Sequence, residues 1–432
     1  MRPQSILFAL FTLSSLPSFA KLEAHEWGTF TSLVGSNGVT QNGMIHEDEV
    51  LPLFVHEFGQ LRQEMPPPGM PRPPFEPPRE RPCRGKACFF QPEFFDHNPV
   101  TQKMETPVIY FYADRAQSVS VNVRFPQGVV TQTFPGPVRT SPTTESVQKL
   151  SNGDTTFDVD ILNQKTGPFP YVDPKNIYIH ARAVESNALR SGAEHEKFIF
   201  YRGIGQFQPA IEIGSVGSHL ELKVEPMRRP QAAFLVHVDE AGHGQILPLR
   251  KLTGEGREVV SSAVNAAMKD HGPGSHALKF YGAVRGEQAR GMLIDALIDS
   301  GLFRDEAIAM INTWEHGYLK VPGLRLLYVL PADEVEEILP LTMTPAPEKL
   351  VRSFVGRIEI LLQSEEEQIL SRIASERDMF KPGSLGRFAE PMMRRVREVF
   401  MAQPLRDPAL ETLINFYVKQ TQSVDAVPGS VR

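Results

Sequence analysis

Apolar and polar residues alternate with a period of two through much of the first half of the chain. Val119, Val121, Val123 and Phe125 are separated by polar residues, as are Phe157, Val159 and Ile161, a pattern that buries one face of a strand and wets the other. The same reading predicts strands over Pro107–Ala113, Ser118–Phe125, Gly128–Phe134, Thr156–Leu162, Asn176–Ala183, Lys197–Arg202, Leu220–Glu225 and Ala232–Val238. Short strands punctuated by proline and glycine predict an antiparallel, sandwich-like unit of roughly 140 residues. Ahead of them, Asn37-Gly38 lies between two strand-like runs within Glu26–Thr40, which predicts an opening hairpin.

The period changes in the second half. Ala289, Met292, Leu293, Ala296 and Leu297 fall on one helical stripe, and Ala307, Met310, Ile311 and Trp314 repeat it. Asp407-Pro408 reads as an N-cap with proline at the first helical position, followed by a buried face of Leu410, Leu413, Ile414, Tyr417 and Val418. One strand-like run, Leu324–Leu330, interrupts the helices and reads as a return to a sheet. The expected fold class is therefore α+β, with an antiparallel β-sandwich-like N-terminal half and a mainly helical C-terminal half.

The first residues stand apart from both patterns. Arg2 precedes an apolar run over residues 6–13, and Pro17 and Ser18-Phe19-Ala20 follow, which is the layout of a cleavable secretory signal. That run is shorter than the ~20 apolar residues that cross a bilayer, and no later segment reaches the length, so no membrane span is expected. The expected organisation is a signal peptide at 1–20, a hairpin region at 21–65, a proline-rich arm at 66–98, a β-sandwich-like domain at 99–250 and a mainly helical domain at 251–432. Residues 66–82 hold nine prolines in seventeen positions, which favours extended polyproline conformation over helix or inner strand.

Composition narrows the function classes. The chain has 432 residues, enough for a large core, and 45 basic against 51 acidic residues give a formal charge of −6. So even a mixture argues against the basic patch that nucleic-acid binding needs. Export changes how the two cysteines read: Cys83 and Cys88 enclose a four-residue loop, and in an oxidising compartment such a pair closes as a disulfide.

Candidate chemistry gathers around His-Glu dipeptides, which occur at His25-Glu26, His46-Glu47, His56-Glu57 and His195-Glu196. Imidazole and carboxylate suit zinc or copper, with a neighbouring acid as general base. The expected metal set is His25, His46 and His56, with Glu26 and Glu47 as catalytic acids or bases. No His-Glu-x-x-His occurs, so such a site must be assembled from separate strands or loops. Trp27, Tyr201 and Arg202 are candidate binding residues, through indole stacking and hydrogen bonding. Gly203-Ile204-Gly205 opens like a dinucleotide fingerprint but has Gln208 where the third glycine belongs, and no Gly-x-Ser-x-Gly is present.

The stretch His25-Glu26-Trp27-Gly28-Thr29-Phe30-Thr31 resembles the opening of an uncharacterised family of exported bacterial proteins. Met104–Tyr112, Lys197–Gly203 and the block from Leu339 to Pro347 running on to Val355-Gly356-Arg357 are similar to that family as well. The resemblance implies export from a bacterial cell, to the periplasm or beyond, and no particular chemistry. Two function classes fit these observations. One is a non-catalytic binding or scaffolding protein of the cell envelope, with an envelope polymer or protein as partner. The other is a metal-dependent hydrolase acting on an envelope polymer or peptide.

Overall fold

The structure is a computed structural model that describes residues 21–47, 50–61, 90, 92–216, 219–225, 228–250, 252, 257–259 and 284–422. The signal-like segment, the proline-dense residues 66–82 and the Cys83–Cys88 loop lie outside the described residues, whereas the end of the arm forms a short helix, Pro92–His97.

Alternating apolar positions build three sheets. The largest has ten strands, in the spatial order Val284–Arg285, Gly244–Pro248, Ala232–Val238, Gly323–Val329, Lys349–Ile360, Leu22–Val34, Gln102–Ala113, Ile199–Gly205, Gly128–Phe134 and His56–Glu57. Its neighbours pair antiparallel except at the centre, where Leu22–Val34 runs parallel to Lys349–Ile360. A six-stranded sheet carries Gln117–Phe125 and Gly153–Ile161, and a three-stranded one carries Ile211–Val216 and His219–Val224.

The fold is thus mixed α and β, with large, mainly antiparallel sheets and helices concentrated in the C-terminal part. The strand order does not confine the main sheet to the first half, because Gly323–Val329 and Lys349–Ile360 occupy its middle. No opening hairpin forms either. Leu22–Val34 has both edges taken, and beyond the turn at Gly38 (φ 77°) only a single bridge joins Val34 to Thr40. Asn176–Ala183 is not a strand. Asp173 Oδ1 accepts from the Lys175 amide and Asn176 Oδ1 from the Tyr178 amide, and these side-chain turns lead into a short helix, Tyr178–Ala181.

The two faces of the main sheet are covered differently. One packs Phe30, Ile109, Phe111, Phe354 and Ile358 against Val121, Val123 and Phe157 of the six-stranded sheet and Ile213 and Leu222 of the three-stranded one. The other face carries two apolar clusters. Trp27, Val108, Phe200, Val236 and Leu327 meet the helices Gly286–Asp299 and Arg304–Leu319 through Leu293, Met310 and Trp314. Leu33, Val129 and Ile204 meet the helices Gln363–Glu376, Ala389–Met401 and Pro408–Thr421 through Ile373, Val396 and Ile414. No described helix is long and apolar enough to cross a membrane.

Candidate functional site

Between those two clusters the same sheet face turns polar. Going strand by strand, Arg325 sits opposite Glu359, and Arg357 opposite Thr31, which in turn sits opposite Lys103. Glu105 lies opposite Thr29, and Arg202 opposite Gln132, which is paired with Glu57 at the sheet edge. All of them are buried. The result is a belt of ionisable and hydroxyl side chains crossing the sheet, with helices packed on either side of it.

The backbone is irregular at this level. Pairing shifts register between Trp27 and Thr29, and again between Phe200 and Gly203. Thr106 takes a left-handed φ of 48° in the Gln102–Ala113 strand, just before Pro107, which donates no ladder hydrogen bond. Bulges and strained residues re-aim side chains and gather at functional places. Here Thr106 Oγ1 accepts from Arg202 Nε at 3.2 Å and Nη2 at 3.0 Å. Gly28 makes room for the bulge, since a Cβ there would stand 2.7 Å from Phe354 and 3.0 Å from Pro107.

At one end of the belt, Arg325 closes the helix Arg304–Leu319. Its Nη1 donates to the carbonyls of Gly317 and Tyr318, each at 3.0 Å, and its Nη2 to Val321 at 2.7 Å, so a cation meets the negative end of the helix. Glu359 accepts from Arg325 Nε at 3.1 Å and from Arg357 Nε at 2.6 Å. Burial works against the charge of Glu359, but the two guanidiniums outweigh it and hold the carboxyl below its ordinary pKa.

Arg357 is only 1% exposed, yet neither Nη1 nor Nη2 has a hydrogen-bond partner among the described residues. Leaving a buried donor unsatisfied costs about 1–3 kcal/mol, more when it is charged. Thr31, the neighbour of Arg357 across the parallel ladder, is also fully buried with Oγ1 unpartnered. The Phe388 ring centroid stands 5.6 Å from Arg357 Cζ. Gly317 belongs to the same arrangement: a Cβ there would lie 2.7 Å from Arg357 Nη1. That explains a residue that costs a helix interior about 1 kcal/mol relative to alanine.

The middle and far end combine charge of both signs. Arg387, from the C-terminal segment, donates to Glu105 Oε1 at 3.2 Å. Tyr318 Oη and Thr29 Oγ1 share a 2.6 Å hydrogen bond, and burial raises the tyrosine's pKa so that it stays neutral, with Arg357 and Arg387 pulling the other way and Glu105 adding to the rise. Glu47 Oε2 lies 3.7 Å from Lys103 Nζ and 3.6 Å from Arg202 Nη1. Five basic residues, Arg325, Arg357, Lys103, Arg202 and Arg387, thus meet four acidic ones, Glu359, Glu105, Glu47 and Glu57.

The residues expected from sequence are dispersed. His25 faces Glu306 through Nδ1 at 2.7 Å and Glu23 through Nε2 at 2.8 Å. His46 donates from Nε2 to the Thr421 carbonyl at 2.6 Å, and burial lowers its pKa to about 4. His56 bonds Glu194 at 2.5 Å. Each ring is occupied by a different element, and no group of three or more His, Cys, Asp or Glu with metal-holding geometry occurs among the described residues. Glu26 points to the opposite sheet face from His25, as strand alternation requires, and is bonded by Tyr201 Oη and by Arg352 Nε at 2.6 Å. Trp27 is fully buried in the apolar cluster and offers no open stacking face.

Of the expected residues, Glu47 and Arg202 belong to the belt. Lys103, Glu105, Arg325, Arg357 and Glu359 were missed; the clearest signal is at Arg325, a lone charge in the otherwise apolar strand Gly323–Val329. No family model matches the chain, and comparison with curated proteins finds no significant relative.

Proposed function

We propose that this is a non-catalytic binding protein exported to the bacterial cell envelope, and that the polar belt is its ligand site. The observation that carries this reading is the alignment of buried charges across neighbouring strands at the level where the Gln102–Ala113 strand shifts register against both of its neighbours. Burying ion pairs frequently costs more than apolar packing of the same volume, and a fold that breaks its own apolar pattern in one coherent band marks a functional place. Strands also hold such side chains more rigidly than loops, which suits recognition. Export is supported by the leader-like first twenty residues and by the resemblance of the His25–Thr31 stretch to exported bacterial proteins.

Native mass spectrometry of protein purified from a periplasmic extract without denaturation tests the reading. The expected result is a small-molecule adduct on the wild type that is lost from Arg202→Lys and Glu105→Gln. An adduct retained on both variants, or no adduct together with no midpoint change across a panel of envelope components, would refute the belt as the site.

A further inference from the structure

We infer that the belt's ligand presents an oxyanion, a carboxylate or phosphate group, that is gripped by the Arg357 guanidinium with Thr31 as a second donor. The inference rests on the belt being the ligand site and names what that site takes.

Three observations converge on it. Arg357 commits Nε to Glu359 and leaves Nη1 and Nη2 without an acceptor at 1% exposure. These two atoms form one edge of a planar fork that matches a pair of oxygens on carboxylate or phosphate. Thr31 Oγ1, on the adjacent strand and the same face, is buried and equally without a partner. A hydroxyl in that position donates to one of the same oxygens.

Charge balance points the same way. Glu359 is shared between Arg325 and Arg357, so one carboxylate serves two guanidiniums, and Arg325's other contacts are to neutral carbonyls. One positive charge at this end of the belt is therefore left for a ligand to neutralise. Lys103 flanks Thr31 on its other side, with Glu47 Oε2 3.7 Å from its Nζ. Gly317 leaves room for Nη1, since a Cβ there would stand 2.7 Å from it, and the Phe388 ring centroid lies 5.6 Å from the guanidinium carbon.

The test is calorimetric titration of the mature protein with inorganic phosphate and, separately, acetate at matched ionic strength, with circular dichroism to confirm folding. At least one anion should bind saturably, and which one does so distinguishes a phosphate from a carboxylate ligand. Arg357→Lys should weaken it tenfold or more, Thr31→Val and Gly317→Ala several-fold, and the distant Lys223→Gln not at all. If Arg357→Lys does not fold, Thr31→Val and Gly317→Ala decide. Wild-type affinity in those variants overturns the assignment. If neither anion saturates while a co-purified neutral or cationic molecule depends on Arg202 and Glu105, the oxyanion claim fails and the belt stands. If no molecule depends on the belt, both fail.

Discussion

Glu359 holds Arg325 and Arg357 at once: one strand's carboxylate receives Nε of the arginine opposite it and Nε of the arginine two residues before it. Through Arg325 the same carboxylate is tied to the end of the helix Arg304–Leu319, so helix, sheet and belt share one electrostatic anchor. Breaking a buried pair by removing one partner typically costs about 3–5 kcal/mol, because a charge is left uncompensated.

Glu359→Gln is accordingly expected to lower stability by about 3–5 kcal/mol near neutral pH, measured by denaturant unfolding. The carboxyl's pKa is held below its ordinary 4.5, so its stabilisation is present above that value and is lost as pH falls through the depressed one. The difference between wild type and variant should shrink at the acid end.

His46 gives a second acid limb, at higher pH. Its ring is buried and its pKa lowered to about 4 from 6.5, chiefly by burial, with the Thr421 carbonyl acting the other way. The unfolded chain takes up this proton first, so stability falls as pH drops from 6.5 to 4, by up to about 3 kcal/mol. His46→Gln keeps a donor for Thr421 and should flatten that part of the stability–pH curve.

Glu334 has the opposite sign. Burial pushes its carboxyl up to about 7, with Arg228 pulling it down. A raised acid favours the folded state below pH 4.5 and loses that contribution as pH rises through 7. Glu334→Gln should therefore leave stability unchanged at pH 4 and raise it by up to about 3 kcal/mol at pH 8, read as a shift in the unfolding midpoint.

Much of the fold was legible where one face of a strand or helix is apolar. Gly128–Phe134 and Ala232–Val238 fall where alternation places them, and the stripes at Ala289–Leu297 and Ala307–Trp314 lie within helices. The Leu324–Leu330 run joins the main sheet between Ala232–Val238 and Lys349–Ile360. Lys349–Ile360 shows no clean apolar alternation, because Arg357 and Glu359 stand at inward positions. Partners hundreds of residues away are what make those positions tenable: Arg357 lies beside Thr31, and Glu105 is met by Arg387. No local pattern reports such pairing. The His-Glu repeats misled for the converse reason: each dipeptide is real, but His25-Glu26, His56-Glu57 and His195-Glu196 lie in strands, where alternation sends the two side chains apart, and His46 is turned to the Thr421 carbonyl.

Gly356 shows how tightly the centre of the main sheet is built. A Cβ there would stand 2.1 Å from the Tyr328 ring on the neighbouring strand. Gly356→Ala should destabilise by about 1–3 kcal/mol through overpacking, measurable as a lower thermal midpoint. Gly214→Ala, where an added Cβ meets nothing within 4 Å, should behave like the wild type.

A crystal structure of the native, unrefolded protein would test the central claim most directly, through the density around Arg357 Nη1 and Nη2 and Thr31 Oγ1. The account predicts a bound group with acceptor oxygens facing these three atoms and both ends of the belt in the same arrangement of ion pairs. Arg357 turned out to bulk solvent, or its nitrogens fully paired with protein acceptors and the belt packed shut, would contradict it.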